Sequence, residues 1–308
     1  MRRLRGVALI TALLVTALAG TVAANMAWDN ALDWRRTMVM LYRDQAIQVA
    51  IGSEGWVQTI LRDDLASSQN DHLGEVWATD IPALPIDSEA VQGQIWGEIE
   101  DLQGRFNINN LVSGNEVNEP AVRQFERLLA ILDLDPTLAD AVVDWLDNEQ
   151  QERIPGGAED PLYSGLVPAY RTGDRPLLNV TELAAVVGMD RASFEILQPH
   201  IAALPGYQPI NVNTAGIPVL QSLNDNLTEA DAEAIMGMRE GGGILDVTDA
   251  LGAIVDPELL QGGISDTTSF FQLKAVVQID TVRVSLFTVM YRDAQGNVTP
   301  VLRSLGTI

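Results

Sequence analysis

The sequence predicts an α+β fold: a long N-terminal transmembrane and amphipathic helix packed on a small antiparallel sheet, with a large all-α domain inserted into that sheet. Three observations carry this. An uncharged apolar run from Val7 to Ala24 passes, without a proline, into a helical pattern that reaches Leu65. Alternating segments, rich in β-branched residues, occur at 94–109 and again at 270–305. Between them, residues 111–266 read as helices broken by turns.

The apolar run is near the lower limit of about 17–25 residues for a helix that crosses a bilayer. Arg2, Arg3 and Arg5 precede it and mark the cytoplasmic end, because Lys/Arg excess fixes that side. Three readings fit the segment: a secretory signal removed near Ala17-Leu18-Ala19, a plain anchor, or a leader cut between Gly6 and Val7 with the apolar helix retained. The continuation favours retention. Val39, Tyr42, Ala46, Val49, Ser53, Trp56 and Ile60 recur by threes and fours, which places one stripe along a helix face. Arg43, Asp44, Gln48 and Glu54 take the opposite face. The expected divisions are a leader at 1–6, a membrane segment at 7–24 and a periplasmic half of the helix at 25–68.

Residues 69–84, with Pro82, read as a connector. Gln94 to Asp101 alternates, with Ile95, Gly97 and Ile99 on one face and Trp96 and Glu98 on the other. Gln103-Gly104 is then expected to turn a hairpin into a return strand from Arg105 to Asn109. Phe270 to Ile279, Val282 to Tyr291 and Val298 to Leu305 supply the remaining strands. The sheet domain is therefore expected at 69–110 and 267–308, and the inserted α-domain at 111–266.

Within the insertion, Pro120 to Leu132 is amphipathic, and Asp135-Pro136 is a capping pair that opens a helix through Trp145. Thr181 opens a further helix near 183–187, and helices are expected from Ser193 to Ile201 and from Thr228 to Arg239, the last ended by Gly241-Gly242-Gly243. Two segments echo each other. Phe106-Asn107-Ile108-Asn109-Asn110 matches Ile210-Asn211-Val212-Asn213-Thr214, and Leu177-Leu178-Asn179-Val180-Thr181-Glu182 matches Ile244-Leu245-Asp246-Val247-Thr248-Asp249. The insertion thus reads as two related helical units. The second also resembles a helix-hairpin-helix module, but Arg239 is its only basic residue among many acids. That charge argues against phosphate binding and for a packing unit.

The net charge is −23, from 42 acidic and 19 basic residues. Nucleic acid, whose phosphates need a basic face, is disfavoured; divalent cations suit this balance. There is no cysteine, and His72 and His200 are the only histidines, so disulfides, thiolate chemistry and histidine-rich active sites lack material.

Residues 144–175 gather oxygen ligands among turn formers: Asp147, Glu149, Gln151, Glu159, Asp160 and Asp174, with Gly156-Gly157 between. Calcium takes 6–8 such oxygens. A long loop without regular structure needs something to order it. A hard cation is one candidate; a solvated acidic loop held by Arg153, Arg171 and Arg175 is the other. An EF-hand is not expected, since Glu152 stands where that motif needs glycine. Asp144 is the weakest ligand candidate, as a helical residue that caps or faces water.

Together, Arg5-Gly6-Val7-Ala8-Leu9-Ile10-Thr11, Gly104-Arg105-Phe106-Asn107-Ile108-Asn109, Asp144-Trp145-Leu146-Asp147, Gly156-Gly157-Ala158-Glu159-Asp160 and Arg175-Pro176-Leu177-Leu178-Asn179-Val180-Thr181-Glu182-Leu183 resemble the K-type minor pseudopilins of type II secretion. The resemblance spans nearly the whole chain. It implies a pseudopilin fold, leader cleavage after Gly6, methylation at Val7 and calcium in the α-domain, carried to Asp147, Glu149, Gln151, Glu159, Asp160 and Asp174. It further implies an inner-membrane subunit, not an enzyme, that caps the pseudopilus tip. Its implied partners are minor pseudopilins I, J and H, major pseudopilin G and the prepilin peptidase. Most pilins carry Glu at the fifth mature position, where this chain has Thr11. An uncharged residue there suits a subunit with no neighbour above it. The competing expectations are a signal-anchored periplasmic enzyme with a calcium-supported domain, and a DNA-uptake pilus protein.

Overall fold

The computed structural model describes residues 3–87, 92–114 and 116–306; Met1 and Arg2 of the expected leader lie outside them. A single helix, α1 (Arg3–Ser67), runs for 65 residues, roughly 98 Å at about 1.5 Å per residue. Among the described residues its first half is exposed: Leu9, Leu13, Leu18 and Met26 are all more than half exposed. The apolar window beginning at Val7 has a mean hydropathy of 2.3, and none of it is buried. The last third packs on the sheet.

Five antiparallel strands form that sheet in sequence order: β1 (Ile81–Asp87), β2 (Gln92–Asp101), β3 (Phe270–Ile279), β4 (Val282–Arg292) and β5 (Val298–Leu305). The helical insertion separates β2 from β3, which nevertheless pair directly, Ile99 opposite Leu273 and Asp101 opposite Phe271. One sheet face presents Leu273, Ala275, Val277, Leu286 and Met290 to Ala46, Ala50, Val57 and Leu61 of α1.

Four expectations need correction. Residues 81–84, expected in the connector, belong to β1; Pro82 and Pro85 are tolerated because β1 is a sheet edge with a register irregularity near them. Asn107 does not return beside β2. Asp101 instead accepts from the Gln103 amide and opens a 3-10 turn, and Phe106–Asn107 pairs in parallel with Ile201–Ala202 inside the insertion. The buried stripe of α1 is Ala46, Ala50, Glu54, Val57 and Leu61, offset by about one residue from the expected one, with Trp56 left 47% exposed. Glu54 is turned inward because Arg303 grips both its oxygens at 2.7 Å and Thr288 donates to one at 2.8 Å. Finally, the turn at 180–185 is 3-10, capped by Asn179 with Glu182 rather than opened by Thr181.

The insertion holds its own core. α2 (Glu119–Ile131) and α3 (Leu138–Leu146) bury Phe125, Leu128, Leu129, Val142 and Val143 with Phe106, Ile108 and Leu183. α4 (Asp160–Ser164), α5 (Arg191–Leu197), α6 (Ile217–Gln221), α7 (Glu229–Met238) and α8 (Val247–Leu251) complete it. The internal echo is structural. Asn109 bonds Leu177 in both directions, accepting its amide at 2.8 Å and donating to its carbonyl at 2.9 Å. Asn213 does the same with Ile244 at 2.7 and 3.0 Å. Asn107 and Asn211 each turn back on the amide two residues on. Each unit is therefore fastened by one buried asparagine that replaces a strand pair.

Candidate metal centre

The acidic site is built outward from α3. Helical spacing puts Asp140 and Asp144 on one face, and Asp147 follows at the C-cap. Residues 153–158 wrap over that face. Asp140 accepts from Arg153 Nε and the Gly156 amide, both at 3.2 Å. Asp144 Oδ2 accepts the amides of Arg153 at 3.1 Å and Ala158 at 2.8 Å. The wrap is so close that a Cβ at Gly157 would sit 2.2 Å from Asp144 Oδ2, so only glycine fits.

The turn then delivers Glu159, which is fully buried with no hydrogen-bond partner for either oxygen. Asp144 Oδ1 is likewise buried and unpartnered. Burial, then the nearby Asp144, Asp147 and Asp174 carboxylates, pushes Glu159 up to about 8. Burial raises Asp144 to about 6 and also lifts Asp147. Asp147 Oδ1 accepts the Glu149 amide at 3.0 Å. Thr172 Oγ1 lies 3.0 Å from Asp160 Oδ1 and 2.7 Å from Asp174 Oδ1, and its one proton satisfies only one of them. Trp145, Tyr163 and Tyr170 form an aromatic wall beside the site.

The structure thus brings Asp147, Glu159 and Asp174 within electrostatic reach of each other and links Asp160 to Asp174 through Thr172. Glu149 and Gln151 are exposed; Glu149 contributes through its backbone, and Gln151 makes no polar contact among the described residues. Asp144, the weakest candidate by sequence, is instead central and fully buried. Its signal was the i, i+4 pairing with Asp140. The donors are all oxygen, with buried carboxylate lone pairs unsatisfied, a donor set that suits a hard cation such as calcium.

Among the described residues, Asp64, Asp71 and Glu75 form the one group of carboxylates whose oxygens all lie within 4.8 Å of each other. A side chain fills that site. Arg292 Nη1 donates to Asp64 at 3.0 Å and to the Leu61 carbonyl at 3.1 Å, and Nη2 donates to Asp71 and to the Thr268 carbonyl. The guanidinium also lies over the Phe271 ring, 4.7 Å from its centre. Thr268 continues to the buried Asp101, which Asn211 and Thr214 of the insertion also bond. This network ties the end of α1 to the sheet and the α-domain.

Two family models described as type II secretion system protein K match residues 104–206 and 210–280. The chain is 34% identical to type II secretion system protein K of Pseudomonas aeruginosa, over 98% of this chain and 92% of that one. The chain belongs to the type II secretion system protein K family. The K protein of Aeromonas hydrophila is 29% identical over 99% of this chain and 98% of its own length. The fold matches a chain in the crystal structure of the GspK-GspI-GspJ complex from enterotoxigenic Escherichia coli, with a TM-score of 0.78, 24% identity and coverage of 89% of this chain and 100% of that one. As a K-family minor pseudopilin the protein is a structural component of type II secretion, and its one long apolar N-terminal helix fits a single-pass anchor.

Proposed function

We propose that the protein caps the tip of the type II secretion pseudopilus, non-catalytically, anchored in the inner membrane with its globular part in the periplasm. The observation that carries this is the unbroken α1: a bare apolar base continuous with a half that is already docked on its own sheet. A peptidase cut between Gly6 and Val7 leaves that rod whole, and methylation follows at the new Val7 terminus. Thr11 Oγ1 donates within the helix to the Val7 carbonyl at 3.1 Å and the Ala8 carbonyl at 3.0 Å. Its hydroxyl is thus satisfied in lipid and asks for no charged neighbour, whereas a carboxylate there would be costly if unpaired.

Calcium belongs to this reading. Glu159, Asp147, Asp160 and Asp174, with Asp144, would hold it. When bound, it supplies positive charge for carboxylates that otherwise repel each other, and so ties α3 to the loops at 147–160 and 172–174. The chain's own residues shape the site: Gly157 allows close approach and Arg153 braces Asp140. Minor pseudopilins I and J, as in the GspK-GspI-GspJ complex, are the proposed partners, with H and G beneath and the peptidase acting before assembly. Co-extraction from membranes tests this. The protein is expected to elute with I and J as one complex; elution alone, while I and J remain paired, would contradict the tip assignment.

A further inference from the structure

One stretch of sheet edge is left open by the fold. β2 pairs with β3 from Gly93 to Asp101, but β1 covers its other side only as far as Gly97, opposite Ile81. Before Ile81 the chain leaves the sheet through the 3-10 turn Val76–Ala78, which carries Trp77 into the core beside α1. Hydrogen-bond alternation fixes which groups remain open. Asp280-Thr281 is a tight turn that makes Ile279 and Val282 a bonded pair. Bonded pairs recur at every second residue. β3 therefore bonds β4 through its odd-numbered residues and β2 through its even-numbered ones, where Lys274 opposes Glu98 and Gln272 opposes Glu100. By the same count Ser285 turns away from β3, and it accepts the Gly306 amide at 2.9 Å on its other side. On β2 the amide and carbonyl of Ile99 and the amide of Asp101 then point away from β3, past the end of β1, with no strand opposite. No turn or loop backbone group bonds them among the described residues.

A cavity of about 380 Å³ lies along this open edge. Leu73, Trp77 and Asp80 wall it on one side, and His200, Gly216 and Val219 of the insertion on the other. Its charges are unevenly matched. Glu98 pairs with Lys274 and Glu100 with Arg105. Asp101 is held by Asn211, Thr214 and Thr268. Asp80 is exposed and forms no ion pair among the described residues. Burial, then the Arg105 charge, keeps His200 below the ordinary histidine range, so at pH 7 it brings little positive charge. One carboxylate is thus left for a cation from outside.

We propose that the edge of β2 at 98–101 takes an extended segment of another protein as an added strand, continuing the line of β1, with a Lys or Arg of that segment beside Asp80. Main-chain bonds to Ile99 supply the affinity, as in other strand additions. Asp80, in a chain of net charge −23, selects a basic segment over an acidic one. The site depends on neither the tip assignment nor calcium.

Fluorescence anisotropy on the detergent-solubilised full chain tests it. The probes are a labelled hexapeptide of alternating Val and Lys, its Val-Glu counterpart, and the Val-Lys peptide N-methylated at every amide. The expected result is saturable binding of the Val-Lys peptide with slower hydrogen exchange over 98–101, and binding about tenfold or more weaker for the other two. A Cβ at Gly216 meets nothing within 4 Å, so Gly216→Leu fills the cavity without a clash at its base. It should abolish binding and keep the melting temperature. Asp80→Lys, at an exposed position, should weaken the Val-Lys peptide about fivefold. Equal binding of the methylated peptide overturns strand addition, and wild-type affinity in both variants overturns the site. No binding of the Val-Lys peptide by the wild-type chain overturns it as well. Self-association of the chain that Gly216→Leu abolishes would assign the edge to a second copy and overturn the peptide ligand.

Discussion

Glu159 concentrates the chemistry of the α-domain in one side chain. Its folded pKa, about 8, lies above the ordinary carboxylate value of 4.5. The stability associated with the neutral form is therefore fully present below about pH 4.5 and is lost as pH rises through 8. Without calcium, the melting temperature should fall across that window; with saturating calcium the fall attributable to this site should vanish, and the bound ion should displace close to one proton at pH 7. Glu159→Gln should flatten the calcium-free profile and remove most of the calcium stabilisation, which is about 2.7 kcal/mol when the ion is at 100 times its Kd. A calcium-induced melting shift unchanged in Glu159→Gln would place the ion elsewhere. Arg292 makes a second residue-scale prediction. Arg292→Leu strands the buried Asp64 and Asp71 without a counter-charge, at a cost of about 3–5 kcal/mol. Adding Asp64→Asn and Asp71→Asn should recover much of that in urea unfolding.

At the scale of elements, α1 separates folding from assembly. Leu61 is fully buried against the sheet, whereas Trp56 is 47% exposed. Leu61→Ala should cost about 2–5 kcal/mol of stability. Trp56→Ala should leave the urea midpoint nearly unchanged and weaken co-extraction with partner pseudopilins; a large loss of stability would mean that the helix face is wrongly assigned. The same helix marks how far the sequence could be read. Its length, the strands from Phe270 onward and the capped helix at Thr228 were legible, because periodicity and caps are local signals. The stripe register was not, because Glu54 is buried by partners that arrive from β4 and β5, far along the chain. The edge strand β1 was hidden by its prolines. The expected hairpin after β2 failed because Phe106 and Ile108 found a larger core in the insertion. Of the site, the acidic composition and the Gly156-Gly157 turn were visible. The central place of Asp144 was not, since it depends on the loop at 153–158 folding back over α3.

The whole molecule is a rod with a two-part head. The repeated asparagine clasps at Asn109 and Asn213 show why the insertion can be large yet ordered: each unit closes on its own backbone. The Arg292 and Asp101 networks then fix that insertion to the sheet, together with a small apolar cluster of Leu102, Ala202, Leu204 and Phe270. All of this positions a head on a helix whose apolar base is unburied among the described residues. A pseudopilus subunit must keep that base after maturation. Mass spectrometry of the protein extracted from membranes measures it most directly. The expected species begins at Val7, carries one methyl group and retains residues 7–24; a mature chain beginning near Asn25, or one still carrying Met1, would contradict it.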